Sequence, residues 1–118
     1  MNYKKILFIG LGGAGQRHLR IFHDLFPPST KFYAFRTKQT TPLLNSDFSV
    51  NRNSTLLEKY NLTIFESIDE AYSISPDLTV ISTPTALHLS PMLKALKSRS
   101  AIFVEKPWSN DLTEFKKF

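Results

Sequence analysis

All four glycines of this 118-residue chain lie within six consecutive positions. The segment reads Gly10-Leu-Gly-Gly-Ala-Gly15, which is the pattern G-x-G-x-x-G. It directly follows the apolar run 6–9, which predicts a buried strand, and it directly precedes a segment with apolar residues at helical spacing. A strand, a glycine-rich turn and a helix in this order are typical of the first unit of a parallel α/β sheet.

Each glycine of the pattern has its own predicted role. Gly10 lets the chain leave the strand in a tight turn, Gly12 leaves the backbone open to a pyrophosphate, and Gly15 lets the helix pack closely on the strand. The amino end of the helix presents free N–H groups and the positive end of its dipole to phosphate groups. A glycine-rich turn can match the same pattern by chance, and this is the alternative. The residues predicted to bind a dinucleotide are Gly10, Gly12, Gly13, Ala14 and Gly15.

The rest of the chain alternates between predicted strands and predicted helices. We predict a first helix at 14–26, in which the apolar residues Leu19, Ile21, Phe22, Leu25 and Phe26 recur at helical spacing, and a loop at 36–53. Ser54 and Ser67 are predicted to cap short helices, and Asp111 to cap a last one. Such alternation implies right-handed βαβ units and an α/β fold of the Rossmann type, a doubly wound parallel sheet in three layers. The predicted strands are 4–9, 31–35, 63–65, 78–82 and 101–105, and the other predicted helices are 54–60, 67–75 and 91–99.

Composition and charge exclude several classes of function. A length of 118 residues builds one domain. The net charge of +5 comes from dispersed basic residues, so no nucleic-acid surface is indicated. There is no cysteine, which excludes disulfides, thiolate zinc sites and cysteine nucleophiles, and we predict no metal site. No run approaches the roughly 20 apolar residues of a membrane span, and the first strand lacks a signal-peptide cleavage site, so we expect a cytoplasmic protein that binds no membrane.

The residues after the second predicted strand bear on the choice of cofactor. In such sheets the ligand lies beyond the carboxyl ends of the strands, and NAD sites carry an acidic residue about 20 positions after the glycines. Here Arg36, Thr37 and Lys38 follow the strand instead, with Arg36 21 positions after Gly15. A guanidinium can pair with a 2′-phosphate through two hydrogen bonds, so NADP is favoured, with NAD as the second choice. The alternative is a solvated basic rim at the start of a loop.

Two further strand ends carry candidate site residues. Ser82 and Thr83 follow the fourth strand, where small hydroxyl side chains leave room for the ribose and nicotinamide, and His88 lies near the start of the next helix. His88 has a structural alternative, which is that it caps or packs this helix. After the fifth strand, Lys106 is placed to act as an acid, a base or an electrostatic anchor for a hydroxyl being oxidised. An ordinary charged edge formed by Glu105 and Lys106 is the alternative.

Together, three segments closely resemble the glucose-fructose oxidoreductase and inositol dehydrogenase family (Gfo/Idh/MocA). They are Gly10-Leu-Gly-Gly-Ala-Gly15, Ser82-Thr-Pro-Thr-Ala-Leu-His88 and Val104-Glu-Lys-Pro107, and the resemblance runs from residue 4 to about residue 115. It implies an NAD(P)-dependent oxidoreductase that acts on a sugar, a cyclitol or a related hydroxyl compound. By this resemblance Lys106 matches the active-site lysine, and His18 matches a structural helix position. The same resemblance assigns to the cofactor lining Thr83, Pro84, His88 and Glu105.

The family pattern also includes a part that these 118 residues do not match. Its proteins continue into a second α+β domain that supplies the substrate pocket, so we expect residues 1–118 to be an NAD(P)-binding domain, truncated near its carboxyl end, that binds cofactor without turnover. A stand-alone NAD(P)-binding regulatory module is the alternative, and a domain for coenzyme A or S-adenosylmethionine fits the three segments poorly. The aromatic side chains of Trp108, Phe115 and Phe118 would normally meet the second domain, so we expect self-association.

Overall fold

The computed structural model describes residues 3–35, 42–83 and 89–104, within which five strands alternate with four helices. The strands are β1 (Lys5–Ile9), β2 (Lys31–Phe35), β3 (Thr63–Phe65), β4 (Leu78–Ile81) and β5 (Ala101–Val104). The helices are α1 (Gly13–Leu25), α2 (Leu56–Tyr60), α3 (Ile68–Ser73) and α4 (Leu89–Lys97). None of these helices combines the length and the apolar character that crossing a membrane requires.

All strand pairs are parallel, in the order β3-β2-β1-β4-β5. The chain moves outward from β1 in one direction through β2 and β3, and then returns to the other side of β1 for β4 and β5. Ile9 is level with both Phe35 and Ile81, and Ile81 is level with Val104. The carboxyl ends of four strands therefore form one edge, with the reversal of strand order between β1 and β4. The predicted doubly wound sheet is confirmed, and a ligand crevice is expected at that reversal.

The central strand β1 is buried on both faces, as its unbroken apolar sequence requires. On one face Ile6 and Phe8 pack with α1 and α2, and on the other Leu7 and Ile9 pack with α3 and α4. The sheet therefore separates two apolar clusters and forms the middle of three layers. At its amino-terminal edge the Asp77 carboxylate accepts hydrogen bonds from the backbone N–H groups of Lys4 and Lys5, both at 2.9 Å.

One of the two helix caps predicted within the described residues needs correction. The predicted cap at Ser54 is wrong by one residue, because the hydroxyl of Thr55 accepts the hydrogen bond from Glu58 N at 3.2 Å. The cap predicted at Ser67 is confirmed, since its hydroxyl accepts from Glu70 N at 3.4 Å. The helix predicted from Asp111 lies outside the described residues.

The apolar residues of α1 form two stripes, and one of them faces the core. Leu19 is fully buried and Phe22 and Phe26 pack against the same cluster, but Ile21 is 41% exposed and Leu25 is 73% exposed. Positions four apart share one side of a helix, so Ile21 and Leu25 form a second stripe on the solvent side. The stripe that contains Leu19 and Phe22 is the one that reaches the sheet.

Candidate functional site

The turn after β1 has a backbone that only glycine adopts readily. Gly10 has a φ of +94°, and a Cβ on it would lie 3.1 Å from both the backbone nitrogen and the Cγ2 of Thr83. Its N–H points to Phe35 O at 3.5 Å, across to the end of β2. The tight turn predicted at Gly10 is confirmed, and it brings the ends of β1, β2 and β4 together.

Gly15 is the point where α1 comes closest to this turn. A Cβ on Gly15 would lie 2.7 Å from the hydroxyl of Ser82 and closer still to Gly10 O. The Ser82 hydroxyl donates to Gly10 O at 3.0 Å, and Ser82 N donates to Ile9 O at 3.0 Å. The close packing predicted at Gly15 is therefore confirmed, because the space that a methyl group needs is already filled by backbone and by Ser82.

The first turn of α1 is open to an anion. Gly12 is exposed, and a Cβ on it would have no heavy atom within 4 Å. Gln16 N donates to Gly12 O at 2.9 Å, which leaves the N–H groups of Gly13, Ala14 and Gly15 ahead of the first bond within the helix. The residue at the cap position, Gly12, has no side chain that could cap the helix, and the first turn carries no acidic residue. N–H donors that precede the first hydrogen bond of the helix, the positive end of its dipole and the open space at Gly12 fit the pyrophosphate of a dinucleotide.

The structure brings some of the predicted site residues together and does not describe the others. Gly10, Gly15, Ser82 and Thr83 are in contact where β1 and β4 end, with Gly12, Gly13 and Ala14 beside them in the first turn of α1. The half-buried ring of His18 packs edge-on against Phe103 of β5, with ring centroids 5.0 Å apart, as expected for a structural role. The predicted residues outside the described ranges are Arg36, Thr37, Lys38, Pro84, His88, Glu105 and Lys106.

Gln16, which is not among the residues predicted from the sequence, joins the glycine turn to the chain that follows β2. Only 3% of this residue is exposed. Its Nε2 donates to Leu11 O at 3.0 Å and to Pro42 O at 2.8 Å, and its Oε1 accepts from Leu44 N at 2.8 Å. A signal was present, because position 16 lies one helical turn before the buried Leu19, and an amide on the buried side of a helix needs polar partners.

Residues 42–50, which we call the α1 loop, form a compact turn against the start of α1. Leu43 is buried in the core cluster, and Leu44 pairs with Val50 in an antiparallel bridge. At the tip the Asp47 carboxylate accepts hydrogen bonds from the hydroxyl and the N–H of Ser49, which hold the pKa of Asp47 below its usual value. Residues 42–53 form neither a helix nor a strand of the sheet, which confirms the predicted loop for this part of the chain. The hydrogen bonds of Gln16 hold this loop against α1.

Phe48 occupies the tip of the α1 loop with a φ of +67°. Its N–H donates to Asn45 O at 2.9 Å, which closes the turn. Its ring lies against Gly13, where a Cβ would be 3.2 Å from Phe48 Cε1, and the residue is 56% exposed. An exposed aromatic ring therefore stands beside the N–H donors of the first turn of α1.

Comparison with known proteins agrees with this fold. Over residues 4–118 the chain matches the GFO_IDH_MocA family model, described as an oxidoreductase family with an NAD-binding Rossmann fold. No curated protein sequence matches this chain.

Solved structures with the same fold include three dehydrogenases. The scyllo-inositol dehydrogenase from Lactobacillus casei, solved with NAD(H) and scyllo-inositol, is 20% identical with a TM-score of 0.76, over 98% of this chain and 32% of that one. Myo-inositol 2-dehydrogenase from Lactobacillus plantarum is 20% identical with a TM-score of 0.77, over 98% and 32%. UDP-N-acetylglucosamine 3-dehydrogenase from Acidithiobacillus ferrooxidans is 18% identical with a TM-score of 0.69, over 99% and 34%.

The chain thus spans about a third of the length of these solved relatives. At such identities the structures show a shared fold, while the family model covers nearly every residue. The chain belongs to the Gfo/Idh/MocA oxidoreductase family and carries its NAD-binding Rossmann fold.

Proposed function

We propose that this chain is the nucleotide-binding domain of an NAD(P)-dependent oxidoreductase that acts on a sugar-like or cyclitol-like hydroxyl compound. Bound cofactor would exchange a hydride between C4 of its nicotinamide and a substrate carbon. The proposal includes a substrate pocket formed by chain beyond these 118 residues, so the domain alone binds cofactor without turnover. The inositol and UDP-sugar dehydrogenases that share the fold support this class of substrate.

The observation that carries the proposal is the open first turn of α1 at the reversal of strand order. Gly12 offers space, and the N–H groups of Gly13 and Ala14 offer donors, at the edge where Ser82 joins the end of β4 to the glycine turn. This is the place where doubly wound sheets bind ligands. A pyrophosphate there directs one half of a dinucleotide toward the end of β2 and the other toward the end of β4.

Side-chain roles follow from these two directions. On the β4 side we assign Ser82, Thr83, Pro84, His88 and Glu105 to the cofactor lining, and Lys106 to the reacting hydroxyl as acid, base or electrostatic anchor. On the β2 side we assign Arg36, Thr37 and Lys38 to a 2′-phosphate, which makes NADP the preferred cofactor. Two structural neighbours were solved with NADH or NAD(H) and do not support this preference, so it rests on the residues of this chain.

Titration of the chain with NADPH and with NADH by isothermal calorimetry tests both the binding of a nicotinamide cofactor and the preference for NADP. We expect NADPH to bind more tightly than NADH. The affinity for NADPH should fall about tenfold or more in Arg36→Ala, since a hydrogen bond to a charged group contributes roughly 1.5–3 kcal/mol. Arg99→Ala is the matched control, because it removes the same charge just before β5, at the opposite edge of the sheet. Equal affinities, or a preference for NADH, would remove the role given to Arg36. Absence of saturable binding by either cofactor would overturn the proposed function.

Self-association and location are separate parts of the proposal. Ile21 and Leu25 leave an apolar stripe on the solvent side of α1, which supports association of the domain with another copy or another domain. Light scattering at several concentrations tests this, and a monomer at all of them would count against it. The cytoplasmic location stays a prediction from the sequence.

A further inference from the structure

We propose that Phe48 is the residue on which the adenine of the dinucleotide stacks, and that Gln16 is the positioning residue that holds the α1 loop for this contact. The inference rests on the proposed function, because it assigns a residue of this chain to one end of the proposed cofactor. Neither residue belongs to the glycine motif or to the strand ends that the family resemblance covers.

Gly13 gives the first indication that the ring is held in a particular place. In G-x-G-x-x-G this position is one of the variable ones, so the motif does not require a glycine there. The α1 loop does account for it, because a Cβ on Gly13 would lie 3.2 and 3.3 Å from two atoms of the Phe48 ring. Those distances are tighter than most Cβ contacts. The edge of the ring formed by Cδ1 and Cε1 therefore lies beside Gly13 in the first turn of α1.

The backbone of Phe48 gives a second indication. A non-glycine residue in the left-handed region costs roughly 1–2 kcal/mol and persists where its surroundings determine it. Here the determinants are the turn bonds at the loop tip, with Asn45 N to Ser49 O at 2.8 Å and Phe48 N to Asn45 O at 2.9 Å. Binding residues are concentrated on loops, and strained backbone conformations cluster at active sites and ligand clamps.

The position of the loop selects the adenine end of the cofactor. In a doubly wound sheet the adenosine half of the dinucleotide extends from the pyrophosphate toward the end of β2. The α1 loop follows β2 in the chain, and Gln16 fastens it at Pro42 O and Leu44 N to the helix that would bind the pyrophosphate. Phe48, beside Gly13 and more than half exposed, offers the flat apolar surface on which a purine stacks.

A pair of substitutions at Phe48 separates binding from folding. Phe48→Asn removes the ring and suits the left-handed backbone, so its melting temperature should equal or exceed that of the wild type. Phe48→Tyr keeps the ring. By isothermal calorimetry we expect Phe48→Asn to lose roughly 5- to 100-fold in affinity, and Phe48→Tyr to stay within about twofold of the wild type. Leu96→Ala, at an exposed apolar residue near the carboxyl end of α4, is the control and should bind as the wild type does.

Two ligands are compared in these titrations. One is the cofactor, NADH or NADPH, that the wild type binds more tightly, and the other is the ADP-ribose that carries the same group at its ribose 2′ position. Equal losses for both ligands in Phe48→Asn support stacking on adenine, since ADP-ribose lacks the nicotinamide. A loss for the full cofactor alone would overturn the adenine assignment. Wild-type affinity in Phe48→Asn would overturn the inference and leave the proposed function standing. Failure of the wild type to bind either ligand would instead overturn the proposed function, and the inference with it.

A double-mutant comparison tests the positioning by Gln16. Gln16→Met keeps similar volume but removes all three side-chain hydrogen bonds, so the Leu44 amide should exchange faster with solvent while β1 amides stay protected. We expect it to weaken ADP-ribose binding in the wild-type background and to add no further loss to Phe48→Asn. Losses that multiply would show that Gln16 acts independently of the ring and would overturn its positioning role.

Discussion

Substitution of Gly15 by alanine tests the packing on which the site depends. The new methyl carbon would lie 2.7 Å from Ser82 Oγ, 3.1 Å from Gly10 C and nearer still to Gly10 O. Two of these three atoms belong to the backbone of the turn, so no side-chain rotation relieves them. Overpacking of this kind costs roughly 1–3 kcal/mol or more, and the better helix propensity of alanine returns up to about 1 kcal/mol. We expect a net loss of about 2 kcal/mol in the free energy of unfolding.

Urea unfolding followed by circular dichroism measures that loss, which corresponds to a fall of about 8 °C in melting temperature for a domain of this size. Gly12→Ala is the matched control, because its Cβ meets nothing within 4 Å, and it should cost no more than about 1 kcal/mol as a weaker helix cap. Gly15→Ala combined with Ser82→Ala should stay destabilised, since the contacts with Gly10 remain. An unfolding free energy of Gly15→Ala equal to that of the wild type would refute the close approach of α1.

Further predictions concern pH and the amino-terminal edge of the sheet. Burial raises the pKa of Tyr72 well above its usual value, and its hydroxyl donates to Pro91 O at 2.8 Å. A tyrosine in the unfolded chain ionises near pH 10. The contribution of Tyr72 to stability is therefore complete below pH 10 and falls above it, because there the unfolded chain loses the proton and the folded chain keeps it. Between pH 7 and pH 11 the free energy of unfolding, measured in urea, should fall less for Tyr72→Phe than for the wild type. At pH 7 itself the variant should be about 1 kcal/mol less stable than the wild type. Asp77→Ala removes the acceptor of Lys4 N and Lys5 N and should cost about 1 kcal/mol by the same assay; an unchanged stability would show that water replaces the carboxylate.

Local signals explain why much of the fold could be predicted from the sequence. The apolar run of β1, the glycines after it and the alternation of strands with helices each depend on residues close together in the chain. Gly15 is an example, because its place in the motif already implied the contact with the β1 turn. The solvent-side position of Ile21 and Leu25 could not be predicted, since helical periodicity does not tell which of two apolar stripes meets the sheet.

The α1 loop could not be predicted in the same way. Gln16 and Leu44 are 28 positions apart, and their hydrogen bond depends on the path of the chain after β2, for which periodicity holds no information. Likewise, the contact of Phe48 with Gly13 joins a loop tip to a helix start. The cap of α2 was predicted one residue too early for a similar reason. Ser and Thr are both good helix caps, and the choice between Ser54 and Thr55 depends on which hydroxyl reaches the amide of Glu58.

Binding of ADP-ribose to the wild type and to Gly12→Val tests the central claim most directly, which is that the first turn of α1 binds a dinucleotide pyrophosphate. Gly12 has an extended backbone, with φ −73° and ψ −162°, and open space around it, so valine should fold there at a cost of about 1 kcal/mol or less. Its side chain would occupy the approach to the N–H donors. We predict saturable binding by the wild type and a loss of at least tenfold in Gly12→Val, measured by calorimetry on variants shown to be folded. Equal affinity of the two proteins would contradict a pyrophosphate site at this turn.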